Sequence, residues 1–385
     1  MAKVLLTGGN GFIASHVLDI LLEHGFQVVV TVRSNEKGRK LLQACENGFK
    51  ERISYAIVKD IAQEGAFDDV IKSEPDLEFV IHTASPFHFN IQDPVKDFLN
   101  PAIKGTSGIL KSLKAYSNSV KRVVVTSSSA AILNPSNHAD VYDETVWGTT
   151  TWEEAIDPRL AYRASKIYAE RAAWAFVQNE KPRFDLVVLN PPLVFGPPPR
   201  HLRDLTALNT SNHRIRDMVQ GKAKDGLPPT GPVFLWVDVR DAAMAHVRAI
   251  EVPEAGGERF FIVAGHFSNK RVADIIRECY PELESRLPPV DADAEDMPAD
   301  VYGYDNTKSR KILGIAYRGL ETCIEDSVRS MMGPGLPAGD VAAEDMTLDA
   351  RGYDKTKSRG ILGTTYRDIK TRLEGSVRST VKVGL

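Results

Sequence analysis

The sequence predicts an α/β fold in which a doubly wound parallel sheet is accompanied by a smaller C-terminal lobe. Short apolar runs of about four to eight residues alternate with helix-like segments through the first two-thirds of the chain, as strands buried on both faces do. A glycine-rich turn joins the first strand to the first helix. Together these features favour parallel strands with helices on both faces of the sheet.

The predicted elements follow one another in a regular order. Residues 4–7 and 26–32 form strands, and residues 12–24 form a helix because their apolar side chains recur at helical spacing. Further strands are predicted at 53–58, 79–82, 122–126 and 186–190.

The sequence changes in character after Asn190. The prolines at 191–192 and 197–199 exclude a helix interior or a central strand there. A strand over 234–239 and a helix over 239–250 then return. The predicted sheet domain covers residues 1–190, and residues 232–250 return to it. The predicted second lobe covers 191–231 and 251–330, and a terminal segment covers 331–385. A ligand cleft is expected between the lobes at the carboxyl ends of the strands.

The terminal segment contains an internal repeat. Residues 294–330 recur as residues 343–379 with most positions identical; the tetrapeptide TKSR, for example, occurs at residue 307 and again at 356. Two copies are too few for a solenoid, which needs about three. We interpret the second copy as a surplus appendage, and a swapped or competing tail is the alternative.

Composition excludes several classes of protein. The 385 residues carry 48 basic and 51 acidic side chains, a net charge of −3, which argues against a nucleic-acid groove. No apolar run reaches the ~18 residues of a membrane span. The three cysteines, Cys45, Cys279 and Cys323, have neither disulfide-framework nor metal-ligand spacing. We expect a cytoplasmic protein without a metal, and either a monomer or a homodimer.

The glycine turn predicts a dinucleotide site. Its spacing is Gly8-x-x-Gly11-x-x-Ala14, in which Gly8 permits the tight turn and Gly11 lets the backbone approach a pyrophosphate. Phe12 and Ile13 open the helix, whose N-terminus stabilises the negative charge of the phosphates. The strand, turn and helix context makes this a Rossmann-type cofactor site rather than an ordinary turn.

The end of the second strand distinguishes the two nicotinamide cofactors. A protein that prefers NAD usually places an acid there, whereas this chain has Arg33 followed by Lys37. Arginine suits a 2′-phosphate because of its bidentate geometry and permanent charge, so NADP(H) is favoured over NAD; both side chains could also be ordinary surface charges. Asp60 and Ile61, after the third strand, could contact the adenine, and Asp60 could equally be a cap.

A serine run and a Tyr/Lys pair predict the reacting centre. Ser127, Ser128 and Ser129 follow the fifth strand, and Tyr162 and Lys166 are four residues apart in a helical segment, on one helix face. A neighbouring ammonium favours the ionised form of a phenol, and a serine from the strand end can hydrogen-bond a substrate oxygen. Tyr-x-x-x-Lys alone is common, but the three features together are specific.

With these motifs, the chain resembles the extended short-chain dehydrogenases/reductases. Within that family it is similar to the dihydroflavonol reductase-like branch and to the fungal Gre2-type NADPH-dependent methylglyoxal and carbonyl reductases. The motifs that carry the resemblance lie at 7–16, 31–34, 82–87, 126–128, 161–166, 190–197 and 237–241. The resemblance covers residues 1 to about 330 and implies a Rossmann domain with a C-terminal substrate-binding lobe.

The resemblance implies roles for individual residues. Tyr162 would donate a proton to the carbonyl oxygen, Lys166 would hold the nicotinamide ribose, and Ser128 would be the active serine, with Ser127 as the alternative. The cofactor near the nicotinamide would be lined by Thr83, Ala84, Ser85, Pro191, Leu193 and Val194.

Four positions match places that contact substrate in relatives: Phe87, Leu133, Arg159 and Leu193. Arg159 stands where a small apolar residue is familiar, and Leu193 where an aromatic is familiar, which puts methylglyoxal itself in doubt as the substrate. An arginine there could bind a carboxylate or phosphate, or it could point to solvent.

The predicted function is NADPH-dependent reduction of a small-molecule aldehyde or ketone. One alternative is an NAD-dependent nucleotide-sugar epimerase or dehydratase. Arg33 argues against it because an acid is usual at that position in NAD enzymes, and the absence of an acid in Ser129-Ala130-Ala131 argues against a dehydratase. The other is a non-catalytic NADP(H)-sensing protein, which would more naturally have lost Tyr162 or Lys166. No nucleic-acid or membrane partner is expected.

Overall fold

The computed structural model describes residues 1–45, 47–85, 93–199, 202, 205, 208–289 and 297–332. All of them belong to one compact unit, Met1–Gly339. No helix in these ranges is long and apolar enough to cross a membrane.

The strands, in chain order, are β1 (Lys3–Thr7), β2 (Gln27–Val32), β3 (Ile53–Ile57), β4 (Leu77–His82), β5 (Arg122–Thr126), β6 (Val141–Tyr142), β7 (Asp185–Asn190), β8 (Leu193–Phe195), β9 (Leu235–Asp238), β10 (Arg259–Phe261), β11 (Gly265–His266) and β12 (Gly303–Tyr304). The α-helices are α1 (Phe12–Glu23), α2 (Asn35–Ala44), α3 (Asp68–Ser73), α4 (Asn100–Tyr116), α5 (Pro158–Glu180), α6 (His213–Val219), α7 (Val239–Glu251), α8 (Asn269–Cys279), α9 (Thr307–Leu313) and α10 (Leu320–Met332).

Seven strands form one sheet in the order β10-β7-β5-β4-β1-β2-β3. Every pairing in it is parallel, and the order reverses direction at β1, as in a doubly wound Rossmann fold. The predicted α/β class is confirmed, and the strands predicted before residue 191 lie within two residues of their observed bounds.

The apolar runs form strands because both faces of the sheet are buried. Successive strand residues point to opposite faces, so Leu6 packs in the cluster with Val17 of α1 and Val247 of α7, whereas Leu5 packs with Ile109 of α4. Both leucines have no exposed surface. This two-sided burial leaves the carboxyl ends of the strands as the place where polar side chains can gather.

The strand pairing differs from the prediction after β7. Strand β9, predicted to return to the sheet domain, pairs instead with β8 and β11 in a separate three-stranded sheet. Only α7 returns, and it packs against α1. Strand β10 was not predicted, and it lies in the range 251–330 that the sequence assigned to the second lobe. It pairs with β7 in the main sheet, where Phe260 and Phe261 are completely buried. The other predicted domain boundaries stay a prediction.

A second core joins α6, α8 and α10 with β8 and β9. Trp236 and Phe195 stack there with ring centroids 6.1 Å apart, and Cys323 and Ile324 of α10 are completely buried in the same cluster. Helices α9 and α10 come from the first copy of the repeat. The second copy, residues 343–379, lies outside the described residues, and its sequence has Arg372 at the position of Cys323.

Candidate active site

The glycine turn lies between β1 and α1, against β2 and the segment after β4. Gly8 has φ +73°, and a Cβ there would be 3.0 Å from the Ala84 Cα, so glycine is required by both conformation and space. Gly9 donates its N–H to the Thr31 carbonyl at 3.1 Å, and a Cβ on it would be 1.8 Å from Val30 Cγ1. Glycine is therefore required at position 9 as well, which the Gly-x-x-Gly-x-x-Ala spacing did not predict.

The N-terminus of α1 is suited to an anion. Gly11 is the N-cap, no side chain of the described residues caps the helix, and no acid lies in its first turn. The N–H groups of Phe12 and Ile13 are therefore among the helix donors that a phosphate could satisfy. Ala14 is buried, which brings α1 close to the sheet.

Arg33 and Lys37 are exposed where β2 ends and α2 begins. The hydroxyl of Ser34 caps α2 by accepting from the Lys37 N–H at 3.4 Å, and Asn10 of the glycine turn donates to the Lys37 carbonyl at 3.4 Å. In the part of the chain that the structure describes, neither cation forms an ion pair with an acid. Both cations thus remain available for an anionic group beside the turn.

Asp60 and Ile61 follow β3. The Asp60 carboxylate accepts from the Ala62 N–H at 2.9 Å, which closes a side-chain turn in the loop before α3; no helix begins there, so Asp60 is not a helix cap. The Ile61 side chain packs closely against α4, where a Cβ added to Gly105 would be 2.9 Å from its Cδ1. An adenine contact by either residue stays a prediction.

The segment after β4 is bound to β1 and to α5. Thr83 donates its hydroxyl to the Thr7 carbonyl at 2.6 Å, and the Ala84 N–H donates to the Thr7 hydroxyl at 3.1 Å. Ser85 Oγ accepts from Lys166 Nζ at 3.1 Å. These bonds bring the predicted nicotinamide-lining residues to the ammonium of the predicted catalytic lysine.

Tyr162 and Lys166 lie on one face of α5. That helix begins at Pro158 and is capped by Asp157, which accepts from the Arg159 N–H at 2.9 Å. The Lys166 Nζ is 5.8 Å from the centroid of the Tyr162 ring. Both side chains are half-buried, so a substrate could reach them.

The three serines after β5 make different contacts. Ser127 donates its hydroxyl to Glu170 at 2.5 Å inside the protein, so its proton is already committed. Ser128 Oγ accepts from the Ala130 N–H at 3.1 Å, which leaves the Ser128 hydroxyl proton for another acceptor. The geometry therefore favours Ser128 over Ser127 as the active serine. Ser129 is buried, and its N–H donates to the Pro191 carbonyl at 2.8 Å.

The predicted substrate-wall residues occupy different environments. Leu133 has no exposed surface and packs in the cluster with Tyr142 and Phe261. Arg159 is exposed and forms a bidentate pair with Asp157, Nε to Oδ1 at 2.9 Å and Nη2 to Oδ2 at 2.5 Å, which compensates its charge. Phe87 lies outside the described residues.

Beside the carboxyl end of β7, Pro191 and Val194 are buried and Leu193 is half-buried. Leu193 also packs against the second core. Their predicted contacts with the cofactor and, for Leu193, with substrate stay predictions.

A small cavity behind Lys166 was not predicted. Burial lowers the pKa of His82 to about 3, with the Lys166 ammonium acting in the same direction, so the imidazole is neutral at working pH. The cavity is lined by residues of α4, α5, β4 and β5 and of the segments that follow these two strands. Its polar side chains include His82, Ser85, Thr126, Ser127, Lys166 and Glu170. Glu170 could have been found from the sequence, because it lies one helical turn after Lys166.

A protein-family model described as the NAD dependent epimerase/dehydratase family matches residues 4–265, which is more than half of the chain. The chain belongs to this family. Its glycine turn, serine turn and Tyr/Lys pair all lie inside the matched residues. No group of three or more His, Cys, Asp or Glu side chains in the described ranges could hold a metal ion.

Several of the proteins to which the chain is similar are reductases by name. The chain is 61% identical over 330 residues to ketoreductase azaE of Aspergillus niger, covering 86% of this chain and 97% of the relative. It is 37% identical to Gre2 of Candida albicans, solved in complex with NADPH, with a TM-score of 0.80 over 86% of this chain and 98% of that one. The methylglyoxal/isovaleraldehyde reductase Gre2 of yeast, also solved with NADPH, is 36% identical with the same TM-score and coverage.

Proposed function

We propose that this protein is an NADPH-dependent carbonyl reductase that converts an aldehyde or ketone to an alcohol. The observation that carries the proposal is the position of the Lys166 ammonium. It donates to Ser85, in the segment after β4, and lies one helical turn from Tyr162. The names of the Aspergillus niger ketoreductase and of the yeast methylglyoxal/isovaleraldehyde reductase support the same reaction.

The residues present fit NADPH. The uncapped N-terminus of α1 suits the diphosphate, and the exposed cations Arg33 and Lys37 suit the 2′-phosphate. Ser85 and Lys166 would hold the nicotinamide ribose. When bound, the cofactor would supply the hydride for the carbonyl carbon.

The side chains of the chain supply the remaining chemistry. Tyr162 donates its phenolic proton to the carbonyl oxygen, and the nearby ammonium of Lys166 stabilises the phenolate that results. Ser128 donates a hydrogen bond to the same oxygen as negative charge develops on it. The T-shaped contact of Tyr162 with Phe98, at 6.4 Å between centroids, holds the ring in place.

The substrate is a small molecule, and a dedicated carboxylate site is disfavoured because Asp157 already pairs with Arg159. The neighbourhood of Leu193 is instead apolar, which suits an uncharged carbonyl compound. A cytoplasmic location and a monomeric or homodimeric state stay predictions from the sequence.

The test is cofactor consumption, measured by ultraviolet absorbance with NADPH or NADH over aldehydes, diketones, flavonoid ketones and keto esters. We expect turnover with NADPH and an uncharged carbonyl. Ser128→Ala should lower kcat by about 100-fold, as loss of one donor to an oxyanion does, and Ser127→Ala by less. Tight NADPH binding without turnover of any carbonyl would favour a sensor, and a preference for NADH would bring back the epimerase alternative.

A further inference from the structure

A buried polar cluster lies beside the predicted catalytic residues and has no role in the chemistry just described. This carboxylate cluster consists of Ser127, Glu170, Asn190 and Arg259. Glu170 is 1% exposed and Asn190 is completely buried. Because Tyr162, Lys166 and Glu170 are spaced by four, they share one face of α5.

Three donors converge on the Glu170 carboxylate. Arg259 Nε donates to Oε1 at 2.5 Å, while Ser127 Oγ at 2.5 Å and Asn190 Nδ2 at 2.7 Å both donate to Oε2. Asn190 Nδ2 also donates to the Ser128 carbonyl at 3.1 Å. The orientation of the Asn190 amide is thereby fixed, because both of its acceptors require the NH₂ group.

Arg259 anchors the cluster to the segment beyond the serine turn. Its guanidinium donates to the carbonyls of Ala131 at 3.2 Å, Glu144 at 2.7 Å and Val146 at 2.6 Å, and lies 4.0 Å from the centroid of the Trp147 ring. Its positive charge compensates the buried carboxylate. Both sides of the serine turn are thus tied to α5 through Glu170.

We propose that Glu170 is a positioning residue for the reaction, an inference that rests on the proposed function. By orienting the Asn190 amide toward the Ser128 carbonyl, and by accepting from Ser127, it sets the distance between the active serine and the Tyr162–Lys166 face of α5. The Asn190 Oδ1 is buried and has no hydrogen-bond partner among the described residues. The orientation of the Asn190 amide is therefore not set by a hydrogen bond to Oδ1. It is set by the two acceptors of Nδ2, the Glu170 carboxylate and the Ser128 carbonyl.

The charge of Glu170 is essential to this arrangement. A glutamine at position 170 has one accepting oxygen and one donating NH₂ group. It would face three donors, those of Arg259, Ser127 and Asn190, with only that one acceptor. The Asn190 amide can relieve the conflict by turning so that its Oδ1 accepts from the glutamine NH₂, and the bond to the Ser128 carbonyl is then lost. A misplacement of about 1 Å in a reacting group can cost about 100-fold in rate, so a small shift of Ser128 would be visible in kcat.

The experiment compares the wild type with Glu170→Gln, Ser128→Ala and the double variant, with kcat and KM for a carbonyl substrate measured at saturating NADPH. The Kd of NADPH is measured by fluorescence. Glu170→Gln should lower kcat by about 10- to 100-fold and leave the Kd for NADPH within about twofold. In the Ser128→Ala background it should change kcat by less than about threefold, because residues that act as a unit are not additive.

Asn190→Ala is the second variant, because it leaves the Glu170–Arg259 pair intact and remains informative if Glu170→Gln does not fold. It should reproduce the loss of kcat. Asn212→Ala is the matched control: Asn212 is also completely buried, donates Nδ2 to one carbonyl, that of Gly196 at 2.8 Å, and has an Oδ1 without a partner among the described residues. It should leave kcat unchanged.

Two results would overturn the positioning role. One is a folded Glu170→Gln or Asn190→Ala variant with wild-type kcat, and the other is a full additional loss from Glu170→Gln in the Ser128→Ala background. A wild-type protein that consumes no NADPH with any carbonyl would instead refute the proposed function, so the two failures are distinct.

Discussion

Two buried histidines predict that the protein loses stability when the pH falls from 7 to 5. Burial lowers the pKa of His82 to about 3 and that of His246 to about 4, the latter opposed by a bond to the Ala242 carbonyl. An unfolded histidine has a pKa of about 6.5, so below that pH the unfolded state binds protons that the native state does not. Stability present above about pH 6.5 is therefore lost as the pH falls toward the folded values, by about 2 kcal/mol per histidine at pH 5.

The assay is urea unfolding followed by tryptophan fluorescence at pH 7, 6 and 5, for the wild type and His246→Gln. The wild type should lose about 4 kcal/mol from the two histidines, and the variant about half of that. Carboxylates that titrate in this range contribute to both proteins, so the difference between them isolates His246. An unfolding free energy with the same pH dependence in both proteins would refute the reasoning.

Three further predictions concern the cofactor site, the glycine turn and the repeat. Arg33→Ala should raise the KM for NADPH by about 10- to 100-fold without changing the KM for NADH, because a charge-assisted pair is lost. Arg39→Ala, at an exposed position of the nearby helix α2, is the control, and equal effects of the two substitutions would contradict the assignment. Gly9→Ala should lower the thermal midpoint through a loss of about 3 kcal/mol, because its Cβ would collide with Val30, and an unchanged midpoint would count against the turn geometry. Removal of residues 333–385 should leave kcat and the thermal midpoint unchanged, because α9 and α10 of the first copy remain, and a loss of activity would favour the swapped-tail alternative.

The sheet could be predicted because its signal is local. Each main strand up to β7 is a short apolar run such as residues 122–126, and two-sided burial requires that pattern wherever it occurs. The pairing of β9 with β8 was not predictable in the same way. Phe195 and Trp236 stack across that small sheet, and contacts between residues so far apart in sequence leave no periodic trace.

The sequence predicted those candidate site residues that lie in short contiguous motifs. It did not predict the contacts that form only when distant segments of the chain come together in the fold. Gly8, Tyr162 and Lys166 lie in short patterns whose spacing carries the chemistry. The spacing places Glu170 on the Tyr162–Lys166 face of α5, but nothing in the sequence pairs it with Arg259. Only the return of β10 to the main sheet brings these two residues together. Arg159 stood out by its type, but whether it pairs with Asp157 or faces a ligand is decided by side-chain geometry.

The central claim is that Tyr162 delivers the proton in an NADPH-dependent reduction. The most direct measurement is kcat for the best carbonyl substrate in the wild type and in Tyr162→Phe, together with the Kd of NADPH for both. We expect Tyr162→Phe to bind NADPH as the wild type does and to lose about 100- to 10,000-fold in kcat, as removal of a general acid does. A Tyr162→Phe protein that binds NADPH and turns over at the wild-type rate would contradict the account.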